Sequence, residues 1–291
     1  MIQHVFDAAS LGALYAVMAL GVALVFGVMR LMNFAYGALI MIGGSLLRAP
    51  GGAPWPVYVL LSIFGVCLAA LAMERIAFRP LRGADASTLL VTSFALVIGL
   101  EALASILLGS RAKSVNILPS LSGSVGLLGS SIAWIDIATI VCAVALMVAF
   151  SAFLRFSPLG MQVRAASEDF RMARLLGVRA NRVIAAAFAA SGVFAGTAAV
   201  LLVAQTGTLT PSMGLTPVLI AFVATVIGGM GSLYGAALGG AVLGILSVAL
   251  PAALPVGAQP YRNAMIFTIV ILILLVRPQG LVGNAISGER I

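Results

Sequence analysis

Charge is what this chain has least of: only 8% of its 291 residues are Asp, Glu, Lys or Arg. A soluble domain uses roughly 25% to cover its surface, so a water-soluble globule is excluded. Lysine occurs once, as Lys113, and Ala112 precedes it, which rules out a G-x-x-x-x-G-K-[ST] phosphate loop. The single histidine, His4, can form neither a Ser/His/Asp constellation nor a multi-His metal site. The two cysteines, Cys67 and Cys142, both fall in apolar runs and support no disulfide framework or thiolate cluster. Acidic residues are scattered as Asp7, Glu74, Asp85, Glu101, Asp136, Glu168, Asp169 and Glu289. No two share a span at helical spacing, which argues against a carboxylate relay. The chain does not read as an enzyme, and no cofactor site is expected in it.

What it has in abundance is apolar sequence: 62% of the residues and a mean hydropathy of +1.19. In lipid every backbone N–H and C=O must be satisfied internally, which leaves helices or closed barrels. Barrel strands would alternate over about ten residues. The runs here are long and continuous, so the fold class is an all-α polytopic membrane protein.

At roughly 20 residues per crossing, the expected spans are Ala8–Met29, Pro56–Ala77, Ser87–Leu108, Ile135–Leu154, Val183–Gln205 and Arg262–Val276. Leu215–Met230 and Tyr234–Leu250 are shorter and Gly-rich, and Leu31–Leu47 reads as a tilted or broken helix. The total is eight or nine spans in one domain covering residues 1–291. The first run has no basic flank and is too long for a cleavable leader.

The net charge of +8 is an orientation signal rather than a nucleic-acid footprint. Arg75, Arg79 and Arg82 share one loop; Arg155, Arg164, Arg171, Arg174, Arg179 and Arg182 share another, two spans later. The positive-inside rule makes both cytoplasmic. The N-terminus then lies outside, Arg30 closes the first span inside, and the tail Gly288-Glu289-Arg290-Ile291 ends in the cytoplasm. Residues 109–134, with Pro119, become the main external loop.

Glu101 lies within Ser87–Leu108, where an ionisable group is expensive and is a candidate for the pathway; the alternative is a hydrogen bond to a neighbouring helix near the outer interface. Gly231, Gly235 and Gly239 recur every fourth residue, with Gly240 and Gly244 beside them, a groove for close helix packing. Ala187, Ser191, Ala195 and Ala199 form a second small-residue stripe. Gly228, Gly229 and Gly231 break their span, as does the stretch from Arg30 to Gly37 with Asn33 and Tyr36. Broken helices are tolerated at membrane depth where they face protein or a watery cavity, so both breaks are candidate pathway linings.

The basic loop at 155–182 carries its own punctuation. Ser167 reads as an N-cap, Glu168 and Asp169 suit the positive end of a helix dipole, and Gly177 suits C′. The predicted helix Ser167–Leu176 lies outside the membrane with exposed apolar side chains, an arrangement suited to docking a partner.

At these residues the chain resembles a known family. Arg164-Ala165-x-x-Glu168-Asp169-x-x-x-Ala173-x-x-x-Gly177 is similar to the coupling loop of ATP-binding-cassette (ABC) importer permeases, in the variant found in branched-chain amino-acid permeases. Gly12-x-x-Tyr15-Ala16, then Gly27-Val28-x-x-x-x-Asn33-Phe34-Ala35-x-Gly37, looks like the start of the LivH-type subunit. Glu74-Arg75-x-Ala77-x-Arg79-Pro80-Leu81-Arg82 fits its first cytoplasmic loop. Gly228-Gly229-Met230-Gly231-Ser232-x-x-Gly235-Ala236-x-x-Gly239-Gly240 and Arg277-Pro278-Gln279-Gly280-Leu281-Val282-Gly283 also match. The resemblance implies the architecture of a type II-like importer permease in the inner membrane. It further implies a second, LivM-like permease, two cytoplasmic LivG/LivF-like ATPases that bind ATP-Mg, and an external substrate-binding protein. On this reading Arg164, Ser167, Glu168, Asp169, Arg171, Ala173 and Gly177 shape the ATPase contact. Around Asn-Phe-Ala-x-Gly the family commonly carries His and an acidic or polar residue, where this chain has Tyr36 and Ala38. The solute is therefore left open among branched-chain amino acids, urea and short amides. The rival class is a stand-alone secondary transporter or channel, which calls for intramembrane coupling groups and usually an inverted repeat; no repeat is evident in the sequence. Homodimeric and heterodimeric permeases read alike.

Overall fold

In the computed structural model, residues 2–48, 54–114, 123–127 and 130–282 are described. The expected cytoplasmic tail at Gly288–Ile291, Gly283, and Pro119 in the 109–134 loop lie outside them.

The chain is helical. Its elements are α1 (Ile2–Met29), α2 (Tyr36–Leu46), α3 (Trp55–Met73), α4 (Ala86–Leu108), α5 (Trp134–Phe156), α6 (Pro158–Glu168), α7 (Phe170–Leu175), α8 (Ala180–Thr206), α9 (Leu215–Gly228), α10 (Leu233–Ala253) and α11 (Arg262–Val276). Four short strands, β1 (Lys113–Ser114), β2 (Ser124–Leu127), β3 (Ser130–Ala133) and β4 (Thr208–Leu209), pair as β1 with β4 and β2 with β3. Among the described residues seven helices are long and apolar enough to cross a membrane, and two apolar ones, α2 and α9, are shorter. These nine make up the membrane-embedded set.

Burial separates centre from periphery. The apolar windows of α1 and α8 are 78% and 72% buried, whereas that of Gln259–Val276, which contains α11, is 6% buried. An apolar helix with so little protein cover is placed to face lipid or another membrane subunit. Small residues let the centre close up. α10 runs antiparallel to α1 with Gly240 against the Ala16 backbone and Gly244 against Gly12, leaving no space for a Cβ. α3 lies on α8 in the same way, with Gly192 against Cys67 and Gly196 against Ile63. Close backbone approach of this kind drives association where lipid tails are as apolar as leucine.

Contrary to the sequence reading, the fold contains an internal repeat. α1–α4 and α8–α11 each run long, short, long, long, with the last crossing taken as Gln259–Val276, and successive crossings alternate in direction, so the two units are inverted. Their packing corresponds: α1 holds α10 and α9 as α8 holds α3 and α2. One fixed sequence separation relates Arg30 to Gly207, Gly37 to Gly214, Ile63 to Gly240 and Cys67 to Gly244. Arg30 (φ 56°) and Gly207 (φ 64°) both end their long helices in the left-handed region. The repeat escapes the sequence because counterparts share a backbone task and seldom a side chain.

The short helices mark two breaks in the crossings, the expected one at residues 30–35 and a second at 207–214. α2 has 11 residues, about 16 Å, against about 30 Å of hydrocarbon. Residues 30–35 complete its crossing without helix, as residues 207–214 do for α9. The two helix starts meet where Gly37 and Gly214 each face the other's carbonyl with no room for a Cβ.

The break expected at Gly228–Gly231 is instead the turn of an α9–α10 hairpin. Gly229 (φ 109°) and Gly231 (φ 98°) take conformations that other residues rarely adopt. Ser232 caps α10 by accepting from Gly235 N–H at 3.0 Å. Gly228 and Gly235 face each other's backbone, and Gly239 lies on Ala224. The matched segment after α11 closes over this turn: Leu281 N–H donates to Ile227 at 2.8 Å and Val282 N–H to Gly228 at 3.1 Å, satisfying carbonyls at the end of α9.

Candidate functional site

Two places collect the residues singled out in the sequence: an elbow at the arginine-rich end, and the junction of the half-helices.

The elbow corrects the expected single helix Ser167–Leu176. Pro158 at N1 starts α6 just after Ser157, because its fixed φ and missing N–H suit a first helical position. That earlier start places Ser167 in the last turn of α6, where its Oγ donates to the Arg164 carbonyl at 2.7 Å, so Ser167 is not an N-cap. Glu168 ends α6 and does not open a helix. Asp169 is the cap: its Oδ1 accepts from Met172 N–H at 2.9 Å and starts α7. Gly177 (φ 87°) occupies C′, with Val178 N–H on Ala173 and Gly177 N–H on Arg174, both at 3.1 Å, a Schellman closure.

Inward residues seat the elbow. Val163, Ala166 and Ala173 are buried, and Gly160 abuts the Phe153–Leu154 backbone. A Cβ on Gly27 of α1 would lie 3.6 Å from Ser167 Cβ, and a shallow cleft here is lined by Gly27, Val163, Arg164, Ser167 and Gly231. The outer side stays uncovered: Arg164, Glu168, Asp169, Arg171 and Arg174 are exposed, and so are Met172, Leu175 and Leu176 at 53%, 76% and 79%. The elbow therefore offers a mixed basic and apolar face fixed to the end of the central helix α1.

At the junction, Asn33 is buried and its Oδ1 accepts from Ala35 N–H at 3.1 Å, holding the turn before α2. Phe34 N–H donates to Ser93 Oγ of α4 at 3.4 Å. The Phe34 ring stacks on Phe94 of α4 (centroids 4.5 Å) and meets Phe222 of α9 at 5.8 Å. Asn33, Phe34, Met32, Val22, Val218 and Phe222 line a small cleft. Tyr36 is separate from it: its ring is fully buried against Gly21 of α1 and its hydroxyl lacks a partner. Ser191 Oγ donates to the Gly21 carbonyl at 2.9 Å. Glu101 follows the buried stripe Leu89, Ser93 and Val97 of α4 by one turn, so it faces the bundle. Its Oε1 is buried without a hydrogen-bond partner among the described residues. Gly228 and Gly229 are packed against Gly235 and Gly280, away from this cleft.

Sequence reading missed two features. One is the aromatic trio Phe34, Phe94 and Phe222, drawn from three segments and without a shared spacing. The other is at the end of α3, where Glu74–Phe78 forms a π-turn, with Arg79 N–H donating to the Glu74 carbonyl at 2.7 Å. Arg82 pairs there with the buried Glu74 carboxylate and also donates to Asn181 Oδ1. The motif Glu74 to Arg82 is visible in the sequence, but nothing in it names Asn181 as a partner.

A bundle of apolar helices with discontinuous crossings and an interfacial elbow defines a multi-pass membrane transport subunit. Residues 4–276 match the family described as branched-chain amino acid transport system / permease component. The chain is 34% identical to the high-affinity branched-chain amino acid transport system permease protein LivH of Salmonella typhimurium, over 97% of this chain and 96% of that one. It is 33% identical to the corresponding protein BraD of Pseudomonas aeruginosa, over 97% and 96%. To a probable LivH of Methanocaldococcus jannaschii it is 27% identical, over 93% and 89%. The chain belongs to the branched-chain amino acid transport system permease family. It is a permease component of an ABC transport system, with ATP hydrolysis assigned to a separate subunit.

Proposed function

We propose that this chain imports branched-chain amino acids, or a related small polar solute such as urea or an amide, as one half of the passageway of an ATP-driven transporter. Its companions are a second, LivM-like permease, two LivG/LivF-like ATPases holding ATP-Mg, and an external binding protein. It lies in the inner membrane with the arginine-rich end in the cytoplasm and the N-terminus outside. Residues 155–182 then form the coupling loop and residues 109–134 the main external loop.

The observation that carries this reading is the elbow. Met172, Leu175 and Leu176 are exposed beside the five exposed arginine and carboxylate side chains of the elbow. Removing such apolar area from water is worth about 25 cal/mol per Å², so a protein partner stabilises this face. Glu168, Asp169, Arg164 and Arg171 supply the charges, while Ala173 and Gly177 set the shape. Closure of the ATPase pair moves the elbow, and α1, which it abuts at Gly27, rocks with it. The solute passes along the Asn33–Phe34 cleft, with Glu101 further along α4 and Gly231 at the inner mouth. The inverted repeat is equally at home in a secondary transporter; the elbow and its uncovered face favour the ATP-driven class.

Purification in mild detergent tests this. ATPase subunits are expected to co-purify with the wild-type chain and to be lost from a Leu175→Asp/Leu176→Asp variant that keeps its own thermal midpoint. Equal recovery of ATPase with both chains contradicts the assigned interface.

A further inference from the structure

We infer that Arg82 is a positioning residue that carries movement of the α6–α7 elbow into α3, through Glu74 on one side and Asn181 on the other. The inference rests on the ATP-driven reading above.

Glu74–Arg82 is the one ion pair among the described residues, and the Glu74 side chain is 6% exposed. Glu74 opens the π-turn at the end of α3. The same guanidinium donates through its other terminal nitrogen to Asn181 Oδ1. Asn181 is the second residue of α8, and Gly177 and Val178, which close the elbow, lie just before that helix. Arg82 thus joins the last turn of α3 to the first turn of α8, at the point where the elbow feeds into the bundle. A guanidinium suits this task because its planar fork presents donors to two acceptors at fixed angles.

Deeper in, the same two helices are already packed. Phe78 and Phe188 are fully buried with ring centroids 5.4 Å apart, and Gly192 and Gly196 hold α8 on α3. The pair does not need Arg82 to associate; it needs Arg82 for its outermost turns to move together.

The other repeat unit supplies the control. The sequence separation that relates the halves takes Arg82 to Gln259 and Glu74 to Pro251. Gln259 Nε2 donates to the Pro251 carbonyl at 2.9 Å in an exposed position. Both linkers are thus tied back to the preceding helix. Only the one at the elbow end uses a buried ion pair and reaches into the opposite repeat. A buried ion pair is weak evidence of stabilisation for its own sake, which points to a role in geometry.

The test uses the complete transporter in proteoliposomes, with leucine and urea as probe solutes. Asn181→Ala breaks the link to α8 and leaves the ion pair intact. Glu74→Gln/Arg82→Gln removes both charges and avoids an unpaired buried one. Both variants are expected to retain ATPase subunits, and Asn181→Ala to keep the wild-type thermal midpoint. Solute carried per ATP hydrolysed is expected to fall about tenfold, within the usual range of inter-site coupling. Gln259→Ala leaves that ratio unchanged. An unaltered ratio in Asn181→Ala, or loss of uptake only in step with loss of subunits and thermal midpoint, overturns the role of Arg82. Wild-type transporter carrying neither solute with ATP overturns the importer reading, and this inference with it.

Discussion

The two inverted units of this chain share a scaffold and differ at their ends. In both, a long buried helix finishes in a left-handed residue, Arg30 or Gly207. A non-helical stretch follows, and then a short helix that meets its counterpart at Gly37–Gly214. The stretch before α2 carries Asn33 and the Phe34 stack, whereas the stretch before α9 holds β4, paired with β1. The linker after α3 has a buried ion pair, whereas the linker after α10 has one exposed hydrogen bond from the Gln259 amide. What is common to the halves packs helices in lipid. What differs sits where solute and neighbouring subunits are proposed to be met.

The largest effect is expected in the shared scaffold. Gly244→Leu drives a side chain into the Gly12 backbone; overpacking costs roughly 1–3 kcal/mol, and more when the obstacle is backbone. This variant is expected to yield little folded chain by detergent gel filtration. Gly99→Leu, at a glycine with open space beside it, is expected to behave as wild type. Next in size, Arg82→Ala leaves Glu74 buried without its partner, a loss of about 3–5 kcal/mol. Its counterpart Gln259→Ala removes one exposed hydrogen bond, worth about 0.5–1.5 kcal/mol at most. Thermal unfolding of the two variants side by side checks whether the halves differ as described.

Asp169→Ala is expected to weaken α7 by about 1 kcal/mol, the usual worth of an N-cap. Asp169→Ser should restore most of it, and Ser167→Ala should have little effect. Limited proteolysis across residues 168–178 reads the difference. Phe34→Leu is expected to cost about 0.5–1.5 kcal/mol for each of the two aromatic pairs it removes. It is also expected to change uptake more than Phe188→Leu, although Phe188 is the more buried ring.

Much of this architecture is legible in the sequence. The spans follow from hydropathy, since a helix that crosses lipid alone needs about 20 apolar residues, and Arg262–Val276 matches to the residue. Gly177 at C′ and the Gly240–Gly244 stripe can be read because a positive φ and a close backbone approach each select glycine. Other features depend on distant partners. Ser167 resembles a cap only when its segment is taken without Pro158, which starts the helix a turn or more earlier. The Gly228–Gly231 cluster resembles a pathway break, and only the tail at Gly280–Val282 shows it as a covered turn. The repeat stays hidden because Ile63 and Gly240, or Arg30 and Gly207, occupy equivalent positions with unlike side chains. Lipid enforces no polar pattern that would reveal them.

The chain is proposed to be a passageway driven from outside itself, through the elbow. Proteoliposomes holding the chain with its companion permease, ATPases and binding protein are expected to accumulate labelled solute only with ATP-Mg. The chain alone should accumulate none, and the Leu175→Asp/Leu176→Asp variant should behave like the ATPase-free vesicles. Uptake against a gradient by the chain alone, without ATP, would contradict a passageway powered by separate ATPases.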